Sequence, residues 1–263
     1  MKRSVNGIDI EYGLAGGGLP VVFIHGFPLN MEMWGRQVEG VKSLCGTITL
    51  DLRGHGGSDK PDAPFTIDVL ADDVLSLLSD LNVGEAVFVG HSMGGYVTLR
   101  AFSRSPKAFK GMVLVNTKAE ADGAETRTAR LETAIRVREG GGETFRKDFA
   151  ERLLSDKSRV HKPELYSELR KMMNESPDNM MARSLEAMAG RPDSSYLLPR
   201  INVPTLIIAG GQDKVMPMAA AQSLKDGISG SRLVVIGEAG HMVNMEESET
   251  FNLQLRDFLQ SVA

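Results

Sequence analysis

Several features of a secreted or membrane protein are missing from this sequence. Cys45 is the only cysteine among 263 residues, so the chain has no intramolecular disulfide and no thiolate cluster for a metal. The most apolar runs, at residues 21–24 and 205–209, are far shorter than the ~20 residues that cross a bilayer. After the basic start, polar residues stand where a secretory signal needs an apolar stretch. We therefore expect a soluble, cytoplasmic protein.

An excess of basic charge is also missing. The sequence has 30 Lys and Arg against 34 Asp and Glu, a net charge of -4, and it has no basic stripe, so nucleic acid is not an expected partner. Its 42% hydrophobic and 24% charged residues are typical of a globular protein with a large core. At about 150 residues per domain, the length fits one α/β domain with an insertion as well as two units. The oligomeric state is left open.

Short β-branched runs alternate with longer amphipathic stretches along the chain. Their near-continuous apolarity is typical of a mostly parallel sheet with helices on both faces. Residues 5–12, with the Asn6-Gly7 turn signal, instead predict an antiparallel hairpin at the sheet edge. Apolar positions at helical spacing from Ile67 to Leu81 predict a helix with one buried face. The predicted buried strands are residues 21–24, 47–50, 86–89, 112–115, 205–208 and 233–236.

The composition changes between residues 118 and 200. Strand-like runs disappear there, arginine and glutamate become dense, and methionines supply much of the apolar content. Buried strands resume at Thr205, so this all-helical insertion interrupts one α/β core. We predict a core formed by residues 1–117 and 201–263 and a helical cap at 118–200, in which the Gly140-Gly141-Gly142 run separates two helices.

The strongest catalytic motif is Gly90-His91-Ser92-Met93-Gly94, which follows the strand at 86–89 and precedes a helical stretch. A G-x-S-x-G nucleophile motif needs this strand–turn–helix context. The sharp turn forces the serine into strained backbone angles, and the flanking glycines let the strand and the helix approach. Ser92 is therefore the predicted nucleophile. The alternative is a chance match in a glycine-rich turn.

A serine nucleophile needs a base, and that base needs an acid to orient it. His241 follows the last predicted strand, in a loop at the carboxyl edge of the sheet. Asp213 follows the strand at 205–208 and completes the chain order Ser, Asp, His that such enzymes use. Asn116 occupies a competing acid position but cannot supply a negative charge. The predicted base and acid are therefore His241 and Asp213.

The remaining histidines are interpreted as structural. His25 and His55 flank turns and are expected to hold loops by hydrogen bonds, and Asp51 is expected to belong to a loop-fixing network. His91 is the variable residue before the serine, and adjacent side chains in such a turn point apart. His161 lies in the charged insertion, where solvation is expected.

The tetrahedral intermediate of acyl transfer needs two backbone N–H donors. One follows the nucleophile, at Met93, and the other comes from the loop after the first core strand, His25-Gly26-Phe27-Pro28. Phe27 is the predicted second donor, because Gly26 permits a close approach and Pro28 has no N–H. Core packing is the alternative role of the Phe27 side chain, and a backbone donor allows both.

With these segments the chain resembles the α/β-hydrolase superfamily, near the group of carboxylesterases, 3-oxoadipate enol-lactonases and perhydrolase-like enzymes. The resemblance covers nearly the whole chain. It implies the α/β-hydrolase fold with a helical cap over the active site, a triad of Ser92, Asp213 and His241, and an oxyanion hole at Phe27 and Met93. Serine at the turn argues against haloalkane dehalogenases and epoxide hydrolases, which use an aspartate there. We expect no cofactor and no metal. The residues that carry the resemblance are 25–28, 51–58, 90–95, 211–213 and 240–241.

The favoured function is hydrolysis of small to medium carboxylic esters through an acyl-enzyme. One alternative is an enol-lactonase, whose anionic substrate would need a cap arginine turned inward. A perhydrolase side activity is also expected, because Pro28 directly follows the predicted oxyanion donor. A receptor for small molecules on the same fold belongs to a different class, and the intact triad disfavours it. Surface solvation is the favoured explanation for each of the candidate arginines, which are Arg130, Arg136, Arg183 and Arg191.

Three methionines adjoin the predicted catalytic residues in sequence: Met93, Met216 and Met242. They either line a tolerant acyl pocket or fill the core. The sequence does not name the substrate, because the directions of the cap side chains decide it.

Overall fold

An eight-stranded sheet forms the centre of the computed structural model, which describes residues 1–262. The strand order is β1-β2-β4-β3-β5-β6-β7-β8, and every pair from β4 to β8 is parallel. The predicted, mostly parallel sheet is confirmed. The strands are β1 Lys2–Val5, β2 Ile8–Ala15, β3 Pro20–Ile24, β4 Gly46–Leu50, β5 Ala86–His91, β6 Phe109–Val115, β7 Thr205–Gly210 and β8 Arg232–Ile236.

The predicted edge hairpin is also confirmed. β1 and β2 pair in antiparallel register, with Val5 opposite Ile8. Asn6 and Gly7 join them with φ angles of 48° and 75°. Positive φ at both central positions is the geometry of a type I′ turn, which matches the twist of the two strands.

Helices cover both faces of the sheet. The predicted helix over 67–81 begins at Ile67 and ends at Asp80, and the Thr66 side chain caps it by accepting a hydrogen bond from the Val69 N–H. The helices are α1 Gly35–Val41, α2 Ile67–Asp80, α3 Met93–Arg104, α4 Ala124–Arg136, α5 Gly142–Leu153, α6 Asp156–His161, α7 Pro163–Asn174, α8 Asp178–Ala189, α9 Met218–Gly227, α10 Val243–Glu246 and α11 Ser248–Val262.

Two apolar clusters lie on opposite faces of the sheet, and the strands contribute alternate residues to each. In β3, Val22 and Ile24 belong to the cluster that contains the apolar face of α2, and Val21 and Phe23 belong to the cluster that contains the apolar face of α11. All four side chains are fully buried. Burial on both faces explains why the strands have continuous apolar sequences rather than alternating ones.

The segment between β6 and β7 contains helices α4 to α8 and, within the described residues, no strand. We call residues 118–200 the cap. The chain breaks between α4 and α5 at Gly140, whose φ of 100° excludes a continuous helix, so the predicted separation by the glycine run is confirmed. The cap extends both apolar clusters, through Met181 of α8 on one side and Leu169 of α7 on the other.

No helix within residues 1–262 combines the length and the apolar composition that crossing a membrane requires. Ala263, the last residue of the predicted core range, lies outside the described residues.

Candidate active site

Ser92 is the single residue between β5 and α3, and its backbone angles are φ 52° and ψ −112°. Glycines lie two positions to either side of it because the backbone is crowded there. A Cβ atom at Gly94 would overlap the Ile24 carbonyl, and one at Gly90 would overlap the Thr98 hydroxyl. The turn therefore places a serine with a positive φ angle at the carboxyl edge of the sheet, as the motif predicts.

Asp213 and His241 are joined as predicted. His241 Nδ1 lies 2.7 Å from Asp213 Oδ2. The other oxygen, Oδ1, accepts hydrogen bonds from the N–H groups of Val215 and Met216 at 2.7 and 2.9 Å. Burial disfavours the Asp213 carboxylate, but His241 and these amides outweigh it and lower its pKa. The carboxylate is therefore ionised and fixes the orientation of the imidazole.

The predicted nucleophile and the predicted base are not joined by a hydrogen bond. Within residues 1–262, no hydrogen bond links the Ser92 hydroxyl to His241, and His241 Nε2 has no protein partner. Catalytic hydrogen bonds are often long before a ligand closes the site. The imidazole as a whole is 1% exposed, so protein covers almost all of its surface.

The two predicted oxyanion donors lie on segments that pack together. A Cβ at Gly26 would overlap the imidazole of His91, so only glycine lets the Phe27 loop approach the serine turn. Met93 opens α3, where backbone N–H groups have no intrahelical acceptor. The Phe27 amide donates no hydrogen bond within the described chain. The Phe27 side chain packs against Phe145 and Phe149 of the cap. Its ring centroid lies 5.9 and 6.0 Å from theirs.

Two side chains hold the backbone carbonyl of His241, the predicted base. Asn116 donates to it at 2.6 Å and accepts from the Gly210 N–H at 2.8 Å. It thus ties the end of β7 to residues 237–242, which carry the predicted base and are called the base loop below. His91 Nε2 lies 2.8 Å from the same carbonyl. Burial lowers the pKa of His91 to about 3, so the ring is neutral and donates from Nε2. The residue at the competing acid position thus supports the base.

Glu246 was missed by sequence reasoning. Its carboxylate is 1% exposed and accepts hydrogen bonds from the Gly240 and Met242 amides on either side of the base, at 2.9 and 3.2 Å. It also accepts from the Ser155 N–H of the cap at 2.9 Å. The N–H of His241 itself donates to the cap carbonyl of Leu153. The base loop is therefore anchored in the cap as well as in the sheet.

The predicted loop-fixing network around Asp51 is confirmed. Asp51 accepts hydrogen bonds from the Met31 and Gly57 amides, both at 2.7 Å. His25 accepts from the Leu52 N–H, and His55 lies 3.1 Å from the Arg53 carbonyl. Burial lowers the pKa of both histidines, to about 4 for His55, so both are neutral near neutral pH.

A cavity of about 390 Å³ opens beside Ser92. The core side contributes Phe27, Tyr96 and Met216, and the cap contributes side chains from α4, α5 and α8. Of the three methionines considered above, only Met216 lines this cavity, whereas Met93 and Met242 are fully buried. A volume of this size suits a small organic substrate.

Of the four candidate arginines, only Arg130 lines the cavity with Ser92. Arg136 lines an adjoining cleft, and Arg191 is 6% exposed and stacks on the Tyr96 ring at 4.1 Å. Arg183 does not line the cavity. Sequence reasoning missed Arg152, an exposed α5 residue that also lines it. The only signal in the sequence was the position of Arg152 on one face of its helix. The sequence does not show which neighbouring helix packs beside that face.

The family model described as the alpha/beta hydrolase fold matches residues 20–248. The chain therefore belongs to the α/β-hydrolase family, and the resemblance inferred from its motifs is confirmed. This family membership also confirms the predicted fold and identifies the chain as a hydrolase.

Individual relatives agree with this assignment. The chain is 33% identical to 3-oxoadipate enol-lactonase 2 of Acinetobacter baylyi over 88% of its length and 85% of the relative. It is similar in structure to a thermophilic esterase from Thermogutta terrifontis solved with malate bound, with TM-score 0.94, 33% identity and coverage of 99% and 97% of the two chains. The chain is also similar in structure to the enol-lactonase from Burkholderia xenovorans LB400, with TM-score 0.91 and 28% identity. The match covers 99% of this chain and 100% of the enol-lactonase.

Proposed function

We propose that the protein is a carboxylic ester hydrolase that works through an acyl-enzyme on Ser92, with His241 as base and Asp213 as its orienting acid. The observation that carries the proposal is the 2.7 Å contact between His241 Nδ1 and Asp213 Oδ2, together with the strained Ser92, which lines a cavity. A base held in one tautomer beside a strained serine is the arrangement that acyl transfer needs.

The first half-reaction forms the acyl-enzyme. His241 Nε2 takes the proton of Ser92 Oγ while Oγ attacks the ester carbonyl carbon. The resulting oxyanion accepts hydrogen bonds from the Phe27 and Met93 amides. The tetrahedral intermediate then collapses, its bond to the alcohol oxygen breaks, and the alcohol leaves with the proton from His241.

The second half-reaction restores the enzyme. His241 takes a proton from water as the water oxygen attacks the acyl carbon. Collapse of the second intermediate breaks the bond to Ser92 Oγ, which recovers its proton, and the carboxylic acid leaves. The same groups serve both halves, so no cofactor is needed.

The buried single thiol of Cys45 supports a reducing compartment, the cytoplasm.

A covalent label tests the proposal. A fluorophosphonate should inactivate the protein in proportion to the label incorporated, and peptide mass mapping should find it on Ser92. Burst release of 4-nitrophenol from a simple ester should match the concentration of active sites. Label on another residue, with Ser92 unmodified in inactive protein, would contradict the nucleophile assignment.

Lactone hydrolysis is the second candidate. Arg130 beside Ser92 favours it, as do the enol-lactonase relatives and the malate bound to the Thermogutta terrifontis esterase. The chemistry is the same, except that the leaving alcohol stays attached to the acyl group. A panel of lactones against open-chain esters separates the two. The perhydrolase side activity, in which hydrogen peroxide replaces water at the acyl-enzyme, stays a prediction.

A further inference from the structure

Tyr96 lines the cavity beside Ser92, and within residues 1–262 its hydroxyl has no hydrogen-bond partner. The residue as a whole is only 5% exposed. Buried tyrosines usually find a partner for the O–H group, because a buried donor without one costs free energy. An unpartnered hydroxyl on a buried side chain at this cavity therefore points to a ligand.

The Tyr96 hydroxyl is open to the cavity. Trp34 Nε1 also lacks a partner, but protein covers that atom almost completely, whereas the Tyr96 hydroxyl keeps some exposed surface. Tyr96 also borders a second cavity, beside Leu99 and Pro192, which is too narrow to admit a water molecule. The exposed surface of the hydroxyl therefore lies on the cavity that Ser92 lines.

The position of the Tyr96 ring is fixed. Tyr96 lies one turn from the nucleophile, and its N–H donates to the Ser92 carbonyl at 3.3 Å. Helix side chains lean toward the N-terminus of their helix, which directs this ring toward the serine turn. The Arg191 guanidinium stacks on the ring at 4.1 Å and is itself held by the Met188 carbonyl and the Asp122 carboxylate, at 2.7 and 2.9 Å. The hydroxyl is therefore preorganised for a ligand.

The hydroxyl is an uncharged donor. Burial raises the pKa of Tyr96, so the phenol keeps its proton at neutral pH. A phenol O–H donates one hydrogen bond, and a ketone oxygen accepts without donating. Burying that pair desolvates no charge. A neutral carbonyl oxygen therefore suits this group.

We propose that the Tyr96 hydroxyl is a substrate-binding group that donates a hydrogen bond to an uncharged oxygen of the substrate. The preferred substrates are then esters that carry a ketone in addition to the scissile carbonyl. This inference rests on the proposed function, because Ser92 defines where the scissile carbonyl lies. A methylidene group has nearly the shape of a ketone but leaves the buried donor unpaired, so the site should reject it.

Pairs of esters that differ in this one group test the proposal. The 4-nitrophenyl esters of 4-, 5- and 6-oxoheptanoic acid place a ketone at three distances from the scissile carbonyl, and a methylidene group replaces it in the partner of each. The parent protein should have a kcat/KM about 3- to 10-fold higher for the ketone in at least one pair. Added salt should not change this ratio, since neither member is charged. Equal kcat/KM values in all three pairs would overturn the proposal.

Tyr96→Phe removes the hydroxyl and keeps the ring. It should bring the ratio in the preferred pair to about one, and a ketone preference that survives would assign the contact to another donor and overturn the proposal. The variant should fold, because no described group loses a partner. Tyr196→Phe is the matched control: its hydroxyl lies 3.3 Å from Arg100 at the surface, so the ratio should stay that of the parent.

Binding without turnover separates this proposal from the proposed function. Calorimetry on the Ser92→Ala variant should show that the preferred ketone ester binds more tightly than its partner, by a similar factor, and that adding Tyr96→Phe removes the difference. Equal binding of the two esters would overturn the proposal. If the parent hydrolysed no ester while the Tyr96-dependent difference in binding persisted, the proposed function would be wrong and the Tyr96 contact would stand.

Discussion

Two clusters of aspartate and histidine lie at the same edge of the sheet, and they differ in what the ring nitrogens bind. His241 uses Nδ1 for Asp213, and within the described chain its Nε2 has no partner. His25 uses both ring nitrogens for backbone groups, the Gly26 carbonyl and the Leu52 N–H. Residue type and strand position are shared, so the uncommitted nitrogen is what distinguishes a candidate base from a structural histidine.

The largest effect should come from the serine of the first cluster. Ser92→Ala should lower kcat by about 10⁶, because no acyl-enzyme can form. Ser58 of the second cluster donates to the Asp51 carbonyl and accepts from the Glu11 N–H, so Ser58→Ala should reduce the melting temperature and change kcat little. Stopped-flow kinetics measure kcat, and thermal denaturation measures the melting temperature of each variant. A comparable loss of kcat in folded Ser58→Ala would erase the distinction between the clusters.

The two aspartates provide the next comparison. Asp213→Asn should lower kcat by about 10⁴ without unfolding, because the amide holds His241 in the wrong tautomer. Asp51→Asn keeps one acceptor oxygen for two amides, so it should cost about 1–3 kcal/mol of stability and leave the chemistry largely intact. The check is kcat and the free energy of unfolding for each variant. The reverse pattern would assign the catalytic acid to Asp51.

Motif residues were predictable from the sequence because their constraints are local. The serine turn needs small neighbours within two positions, and strands buried on both faces need continuous apolar runs, so Ser92 and β3 could be identified directly. Asp213 and His241 were predicted from their places after predicted strands and from the chain order that this fold class uses. These features depend on few contacts between distant parts of the chain.

The cap residues that line the cavity, and the residues that hold the base loop, were not predictable, because their roles depend on contacts between distant parts of the chain. Whether an arginine such as Arg152 faces solvent or a cavity depends on how α5 packs against its neighbours. Glu246 acts on amides of two separate segments, and nothing in its own sequence marks it as buried. Asn116 was judged only by the charge it lacks, whereas its amide binds two backbone groups.

An intermediate effect is expected at Glu246, which belongs to neither cluster but holds the base loop. Glu246→Gln removes the charge and one of its acceptor oxygens, so His241 loses part of its positioning. We expect kcat and the rate of fluorophosphonate labelling to fall together by about 10- to 100-fold, with KM little changed. Glu247→Gln, next in the chain and paired with Lys162, is the matched control and should have no such effect. A fall in stability alone would restrict Glu246 to a structural role.

The smallest effect concerns the pH dependence of the two carboxylates. Burial raises the pKa of Asp51 to about 6, against the stabilising Met31 and Gly57 amides, whereas the pKa of Asp213 is lowered. The native state therefore binds a proton at Asp51 before the unfolded chain does, and this carboxyl adds stability as the pH falls from 7 to 5. Asp213 changes stability only below its ordinary pKa, where its contribution is lost.

The buried histidines act in the opposite direction over the same pH range, so the Asp51 effect must be isolated by difference. The unfolding free energy of the parent relative to Asp51→Asn should rise by about 1 kcal/mol between pH 7 and pH 5. Urea titrations at both pH values measure it, and the parent relative to Asp213→Asn should show no such rise. If the Asp51 difference were constant with pH, the pKa of the carboxyl would lie at or below its ordinary value, and the amide hydrogen bonds would balance or outweigh its burial.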